Sequence, residues 1–554
     1  MNHIICAPVF SDHMVLQQNK PIRIFGHARR GISITASLLP EKDEGTEATG
    51  SDFSPAATAS VTVSPENLPK DMTFAPYPDA PADHIRFCVT LPPIKAGGPY
   101  RLSVLGQAGQ KEGDDTVACE VIEFHDVMIG EVWLAGGQSN MEYALEADRD
   151  FERIKNAPSS RVRFYNVGRR FFIDENFYEE ERKDHWMCTD ENLGTWSAVG
   201  YYFAEKIAEE TGVCVGIIGC NLGGTSASAW QNKESLLSCE KTRSYWEEYE
   251  EILSTLDPDI YEKERLDYIE YHSKWQPKSD EYYRTHPDAT WEEMQAAVGI
   301  CKWPGPMGPK HEFRPCGLYE SMLMRIMPFT LKGFLYYQGE SDEHKPNSYY
   351  ALFKNLIALW RKDFGDSTLP FLFVQLPVHK YRDNPPSESW CILREAQMQV
   401  HRDVAGTGIA VAMDLGEYNN IHPTSKILVG ERLALQALYH VYHAIPEDRA
   451  YGPLWESMEC MDGKLRITLS HAKTGLVIKD FTDKDTSKLG FEISGNDGVF
   501  HPAFAEFSGN IVTLSSPEVC KPYNARYLWV EYAPVYLYGT NGLPLAPFHT
   551  GLSF

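Results

Sequence analysis

Five apolar runs separated by helical stretches constrain this chain more than any other feature: Val132–Ala135, Val213–Gly219, Phe334–Tyr337, Phe371–Leu376 and Gly408–Met413. None of them alternates polar with apolar residues, so none can keep one face in water. Strands of that kind belong inside a sheet covered by helices on both sides, and such sheets are parallel. Between the runs, Ala198–Thr211 reads as a helix stopped by Gly212, and a second helix is expected from Thr424 to His443. Open parallel sheets bind ligands beyond the carboxyl ends of their strands. The residues that follow each run are therefore the first place to look for chemistry.

The flanks read differently. Up to about residue 125, Arg23–Gly26, Ile32–Ala36, Ser60–Val63 and Tyr100–Val104 alternate as half-buried strands do, which predicts an all-β sandwich over 1–125. An acidic stretch, 41–55, and a proline-rich one, 70–83, are expected as irregular connections. The α/β unit is expected over 126–445. Within it, 231–310 breaks the rhythm with Glu-, Tyr- and Trp-rich helices such as Tyr245–Glu251, a pattern that suits a solvated helix face. It is expected as an insertion that overhangs the site, with Trp246 and Trp303 in core packing rather than stacked on a ligand. From 446 to 554, short strands such as Leu465–Leu469, Leu476–Ile478 and Asn510–Leu514 predict a second β-sandwich.

Composition excludes some partners. The formal net charge is −25, which argues against nucleic acid and anionic membranes. The 12 cysteines include no C-x-x-C pair, so neither a zinc ribbon nor a thioredoxin motif is present. Buried thiols suit a reducing compartment. The start lacks a basic segment followed by an apolar core, and no apolar run reaches the length of a membrane span, so a cytoplasmic location is expected.

Four strand ends carry the chemistry-bearing residues. The first is Gly136-Gly137-Gln138-Ser139-Asn140-Met141, where small residues allow a sharp turn and leave a serine hydroxyl at the sheet edge. Ser139 is either a nucleophile or a polar N-cap. The Gly-x-Ser-x-Gly elbow is not matched, because Met141 holds its last position. The second is Asn221-Leu222-Gly223-Gly224, whose glycines can turn a backbone N–H toward a ligand. The third is Gln338-Gly339-Glu340-Ser341-Asp342, whose amide could donate to an oxyanion. The fourth is Ile421-His422-Pro423, just before a helix. Nucleophile, base and oxyanion donors are the parts that acyl transfer by serine requires.

Together these blocks resemble the sialate O-acetylesterase group of the SGNH hydrolases, itself similar to acetylxylan-esterase-like carbohydrate esterases. The resemblance extends to Ala7–Gln17 with Lys20-Pro21, Ala96–Tyr100, Gly130–Trp133, Trp360-Arg361, Phe371–Leu376 and Gly542–Pro544 with Pro547-Phe548. It implies a flavodoxin-like three-layer α/β/α catalytic domain flanked by the two β-sandwiches. It implies Ser139 as nucleophile, His422 as base, and an oxyanion hole made by the N–H groups of Ser139 and Gly223 and the Gln338 side chain. No metal or organic cofactor enters that cycle. The implied substrate is an O-acetylated sugar, first of all sialic acid; acetylated xylan and a catalytically decayed glycan-binding protein are the alternatives. One departure stands out. Where family members carry an aspartate two or three residues before the histidine, this chain has Asn420 and Asn419. The ring is then oriented by an amide or backbone carbonyl, or by a carboxylate from elsewhere such as Glu340, Asp414 or Glu417, or activity is reduced.

Overall fold

One long strand, β1 (Cys119–Gly137), organises the protein. Its first half pairs antiparallel with Gly97–Gln107, and its second half pairs in parallel with strands of the central sheet. The computed structural model describes residues 3–41, 54–70, 72–75, 80–107, 119–286, 289–380 and 387–554. The connection expected over 41–55 lies largely outside them, as does part of that over 70–83. The N-terminal strands Ser33–Pro40, Ala57–Thr62 and Gly97–Gln107 join the central strands in one 11-stranded sheet, while Ile4–Cys6, Ile22–Arg29 and His84–Leu91 form a separate three-stranded one. The boundary expected at 125/126 falls inside β1, so the hydrogen-bonded ladder crosses it without a break.

Beyond β1 the central strands are β2 (Val162–Asn166), β3 (Val215–Asn221), β4 (Gly333–Tyr337), β5 (Phe371–Gln375) and β6 (Thr407–Val411). The order across the sheet is β2-β3-β1-β4-β5-β6, all parallel, with Trp186–Met187 antiparallel on the outer edge of β2. After β1 the chain runs to β2, returns to fill the gap between them with β3, and then crosses to the other side of β1 for β4, β5 and β6, so the order reverses at β1. A crevice opens at such a reversal. The five expected strands are all present; β2 was not anticipated, because Val162–Asn166 carries polar residues within its apolar pattern.

Side-chain parity shows why both faces are dry. Trp133 of β1 meets Phe203 of the helix Ala198–Thr211, ring centroids 5.1 Å apart. Gly136, three positions on and therefore on the opposite face, lies against Trp360 of the helix Pro346–Asp363, where a Cβ would come within 2.7 Å of the indole. The helix Ile427–His440 packs beside Ala198–Thr211, with Gly430 against Tyr202. The helix Ser389–Asp403 packs beside Pro346–Asp363.

The insertion contains the helices Lys233–Leu237, Glu240–Thr255, Pro258–Thr285 and Trp291–Val298. Tyr245 ties it to the sheet edge by donating its hydroxyl proton to Asp342 (2.9 Å). Trp246 is half-buried, as expected. Trp303 is not: it is 51% exposed and stands at the mouth of the central crevice. The C-terminal region is β-rich, with two four-stranded sheets and a two-stranded one. It docks on Ser389–Asp403, where the His549 N–H donates to Glu395 (3.2 Å) and Arg394 donates to the Val530 carbonyl.

Candidate active site

The end of β1 can be built only from glycine. Gly137 has φ +134°, and a Cβ there would lie 2.1 Å from the Tyr337 carbonyl oxygen of β4. The chain then turns through Gln138 into one helical turn, Ser139–Glu142. Gln138 holds the cap position and Ser139 is the first helical residue, so the cap reading of Ser139 fails. The N–H of such a residue has no intrahelical partner, and the turn directs it outward.

His422 reaches the serine from the other side of the crevice. Its Nε2 lies 2.8 Å from Ser139 Oγ. The loop carrying it is tied by its own polar residues. Glu417 accepts hydrogen bonds from Asn420 Nδ2 (2.7 Å), the Thr424 N–H (2.8 Å) and the Thr424 hydroxyl (2.9 Å). Asn420 Oδ1 accepts the His422 backbone N–H (3.0 Å), and Asn419 supplies the turn with φ +60°.

Asn140 links the two halves. Its Nδ2 donates to Glu340 Oε1 (2.7 Å) and to the Ile421 carbonyl (2.9 Å), and its Oδ1 accepts from Lys426 Nζ (2.7 Å). The residue after Ser139 therefore holds the residue before His422. Burial lowers the Lys426 ammonium to about 8 and pushes the Glu340 carboxyl above the usual carboxylate range.

Behind His422 the sequence-based candidates do not converge. Asp414 is locked in a two-pronged ion pair with Arg432 (2.6 and 2.8 Å). Asn420 orients the loop backbone rather than the ring. Glu340 spends Oε1 on Asn140, and its buried Oε2 has no partner among the described residues. Among the described residues none accepts a hydrogen bond from His422 Nδ1. The imidazole is lowered to about 4, chiefly by burial, with the Lys426 charge and His379 adding to it.

The oxyanion donors also differ from expectation. Gln338 is buried, and its amide donates to the Thr225 carbonyl (3.1 Å) and to Asp342 Oδ2 (2.6 Å). Both amide protons are committed, so Gln338 braces the β4 end instead of facing the crevice. Gly223 is where an oxyanion donor belongs: a Cβ on it would stand 3.2 Å from Ser139 Cβ. Its N–H, however, donates to Glu142 Oε2 (2.7 Å), while Glu142 Oε1 pairs with Arg169 (2.6 Å). Glu142 was missed in the sequence, although its position three after Ser139 puts it on the same turn.

Ser139 and His422 open into a cavity of about 810 Å³, a size that accommodates a sugar residue. Phe171, Trp303 and Phe313 are the aromatic residues of its lining; Glu312, Glu343 and His344 are among the polar groups. Burial raises both the Glu312 and Glu343 carboxyls. Away from the crevice, His13, Asp126 and Cys188 come close enough to share a cation, but Arg163 already pairs with Asp126 (2.9 Å).

The model of the carbohydrate esterase, sialic acid-specific acetylesterase family matches residues 129–258 and 300–439. The unmatched gap holds most of the helix Pro258–Thr285 and all of Trp291–Val298. The sialate O-acetylesterase of Mus musculus is 27% identical over 413 residues, 69% of this chain and 68% of that protein. That of Homo sapiens is 26% identical over 450 residues, 75% and 71% respectively. The crystal structure of a carbohydrate acetylesterase from Xanthomonas citri superposes with a TM-score of 0.70 at 25% identity, covering 99% of this chain and 100% of that one.

Proposed function

The chain belongs to the carbohydrate esterase family of sialic acid-specific acetylesterases, and on that footing we propose a serine esterase that removes O-acetyl groups from sialic acid through an acetyl-enzyme. The observation that carries the mechanism is the 2.8 Å contact between Ser139 Oγ and His422 Nε2 at the floor of a sugar-sized cavity.

Ser139 Oγ attacks the acetyl carbonyl while His422 Nε2 takes its proton. The negative charge that develops on the carbonyl oxygen is met by the N–H of Ser139 and, once freed, that of Gly223. Collapse breaks the ester bond, and His422 returns the proton to the departing sugar oxygen. A water molecule, deprotonated by His422, then attacks the acetyl-Ser139 carbonyl, and Ser139 leaves with the proton as acetate is released. The proposal takes the parallel sheet as an SGNH-type catalytic unit with a β-sandwich at either end; the strand order and the helix pairs on both faces support it.

A second substrate reading has its own support. The cavity is lined by Glu142, Glu312, Glu340 and Glu343, and Arg169 is already paired with Glu142. Such a lining favours the hydroxyls of a neutral acetylated sugar, such as acetylated xylan, over a sialate carboxylate. Acetate release from O-acetylated sialic acid and from acetylated xylo-oligosaccharide, measured side by side, decides between them. Ser139→Ala is expected to abolish release from both and from 4-nitrophenyl acetate; wild-type rates in that variant would refute the mechanism.

A further inference from the structure

Glu142 stands where catalysis needs an open donor. The Gly223 N–H has one hydrogen, and Glu142 Oε2 takes it at 2.7 Å. An oxyanion bound beside Ser139 needs the same hydrogen. With Glu142 in place the developing oxyanion would share one N–H with a carboxylate, and two negative charges that close repel strongly in a water-poor site. The carboxylate must therefore leave Gly223 as the ester reacts.

The structure gives Glu142 room to do so. It ends the short turn that Ser139 begins, it lines the cavity, and its partner Arg169 is 65% exposed and able to follow it. A carboxylate that gives up an N–H in a half-buried site needs another donor, because leaving it unmatched is costly. The ligand is the available source. In a partly acetylated sugar, the hydroxyl on the carbon next to the ester lies beside the ester carbonyl. We propose that Glu142 determines specificity by exchanging the Gly223 N–H for that neighbouring hydroxyl, so that the oxyanion hole opens for a sugar ester carrying a free adjacent hydroxyl and stays capped for an ester without one. The proposal rests on the serine-esterase reading but is independent of which sugar is used.

Three esters separate this role from a structural one: a monoacetylated sugar with a free vicinal hydroxyl, the same ester with that hydroxyl replaced by hydrogen, and 4-nitrophenyl acetate. The wild-type enzyme is expected to favour the first over the second by about tenfold or more in kcat/KM, the worth of one charge-assisted hydrogen bond. Glu142→Ala is expected to raise kcat/KM on the two hydroxyl-free esters by about tenfold and to abolish the preference. A parallel fall on all three esters, or a wild-type enzyme indifferent to the hydroxyl, overturns the proposal. If Glu142→Ala does not fold, Glu142→Gln decides the matter: a rise on the hydroxyl-free esters supports the exchange, and no change or a fall refutes it. Ser139→Ala run in parallel keeps the two claims apart. Activity surviving in that variant sinks the esterase reading, whereas its loss without the Glu142 effect sinks the exchange alone.

Discussion

The pH dependence of turnover tests what stands behind His422. The base is active when neutral, so kcat/KM is lost as pH falls through its pKa. Burial, with Lys426 and His379, lowers that pKa from 6.5 to about 4. A shift of that size makes the imidazolium about 3 kcal/mol harder to form than in water. A carboxylate on Nδ1 would act in the opposite direction and keep the pKa near or above its ordinary value. The wild-type acid limb, measured as kcat/KM on 4-nitrophenyl acetate from pH 3.5 to 8, is therefore expected near 4. Lys426→Met removes one of the charges that lower it, so the limb is expected to move up while staying below 6.5, since burial is the larger cause. His401 and His27 are also lowered to about 4 by burial. Their neutral forms support the fold fully above about pH 6.5 and progressively less toward 4. Circular dichroism at each pH must accordingly show the enzyme folded where the limb is read. A wild-type limb at 6.5 or higher would refute the reasoning: a carboxylate would then reach the ring, and the base would not work as part of a dyad. A limb unmoved in Lys426→Met would remove Lys426 from the account of His422.

Other substitutions test the remaining contacts. Gly137→Ala forces a Cβ to 2.1 Å from the Tyr337 oxygen at φ +134°; a lower Tm and a loss of kcat are expected together, and normal values in both would show that the turn tolerates a side chain. Gln338→Ala strips a buried acceptor pair of its donor, so a Tm loss of several degrees is expected with kcat of the folded fraction largely kept; a loss of about a hundredfold in kcat at unchanged Tm would restore Gln338 as an oxyanion donor. Glu395 is raised to about 7 by burial, so its protonated form supports the fold fully below 4.5, and that support is lost as pH rises through 7. Glu395→Gln is expected to gain up to about 3 kcal/mol over wild type in urea unfolding at pH 8 and nothing at pH 4.5. Asn420→Asp sets a carboxylate against Glu417 and the His422 N–H environment rather than against the ring, so kcat/KM is expected to fall; a rise would show that the loop can turn an acid onto Nδ1.

The sheet was legible because its strands are buried on both faces and so lack alternation; Phe371–Gln375 and Gly333–Tyr337 can hardly be read otherwise. β2 was hidden because Arg163 and Asn166 interrupt its apolar run. The 19-residue length of β1 was hidden too, because its first half alternates against the N-terminal strands and its second half is apolar among the parallel ones. In the site, element ends singled out Ser139, Gly223 and His422, the resemblance gave them their roles, and the structure brings Ser139 and His422 within 2.8 Å. What could not be read was direction. A glutamine after a strand can face the crevice or the core, and Asp342, four residues later, pulls Gln338 inward (2.6 Å). Trp303 shows the same limit, since an aromatic in a helical insertion gives no sign of whether it packs inward or borders a cavity.

The missing aspartate leaves orientation of the base to the backbone. In a Ser-His-Asp site one carboxylate both aims the ring and stabilises its charge. Here the aiming is distributed. Glu417 fixes Asn420, Asn420 fixes the His422 N–H, and Asn140 fixes the Ile421 carbonyl from the serine side. Two of these bonds act on main chain next to the ring and the third holds the Asn420 side chain that makes one of them, so together they position Nε2 without touching Nδ1. They do nothing for the imidazolium charge, and Lys426, held by the same Asn140, opposes it. Placement of the base and support of its charge, which one side chain usually provides together, are thus separable in this site. Placement is present in the fold, whereas among the described residues no group supports the charge at Nδ1.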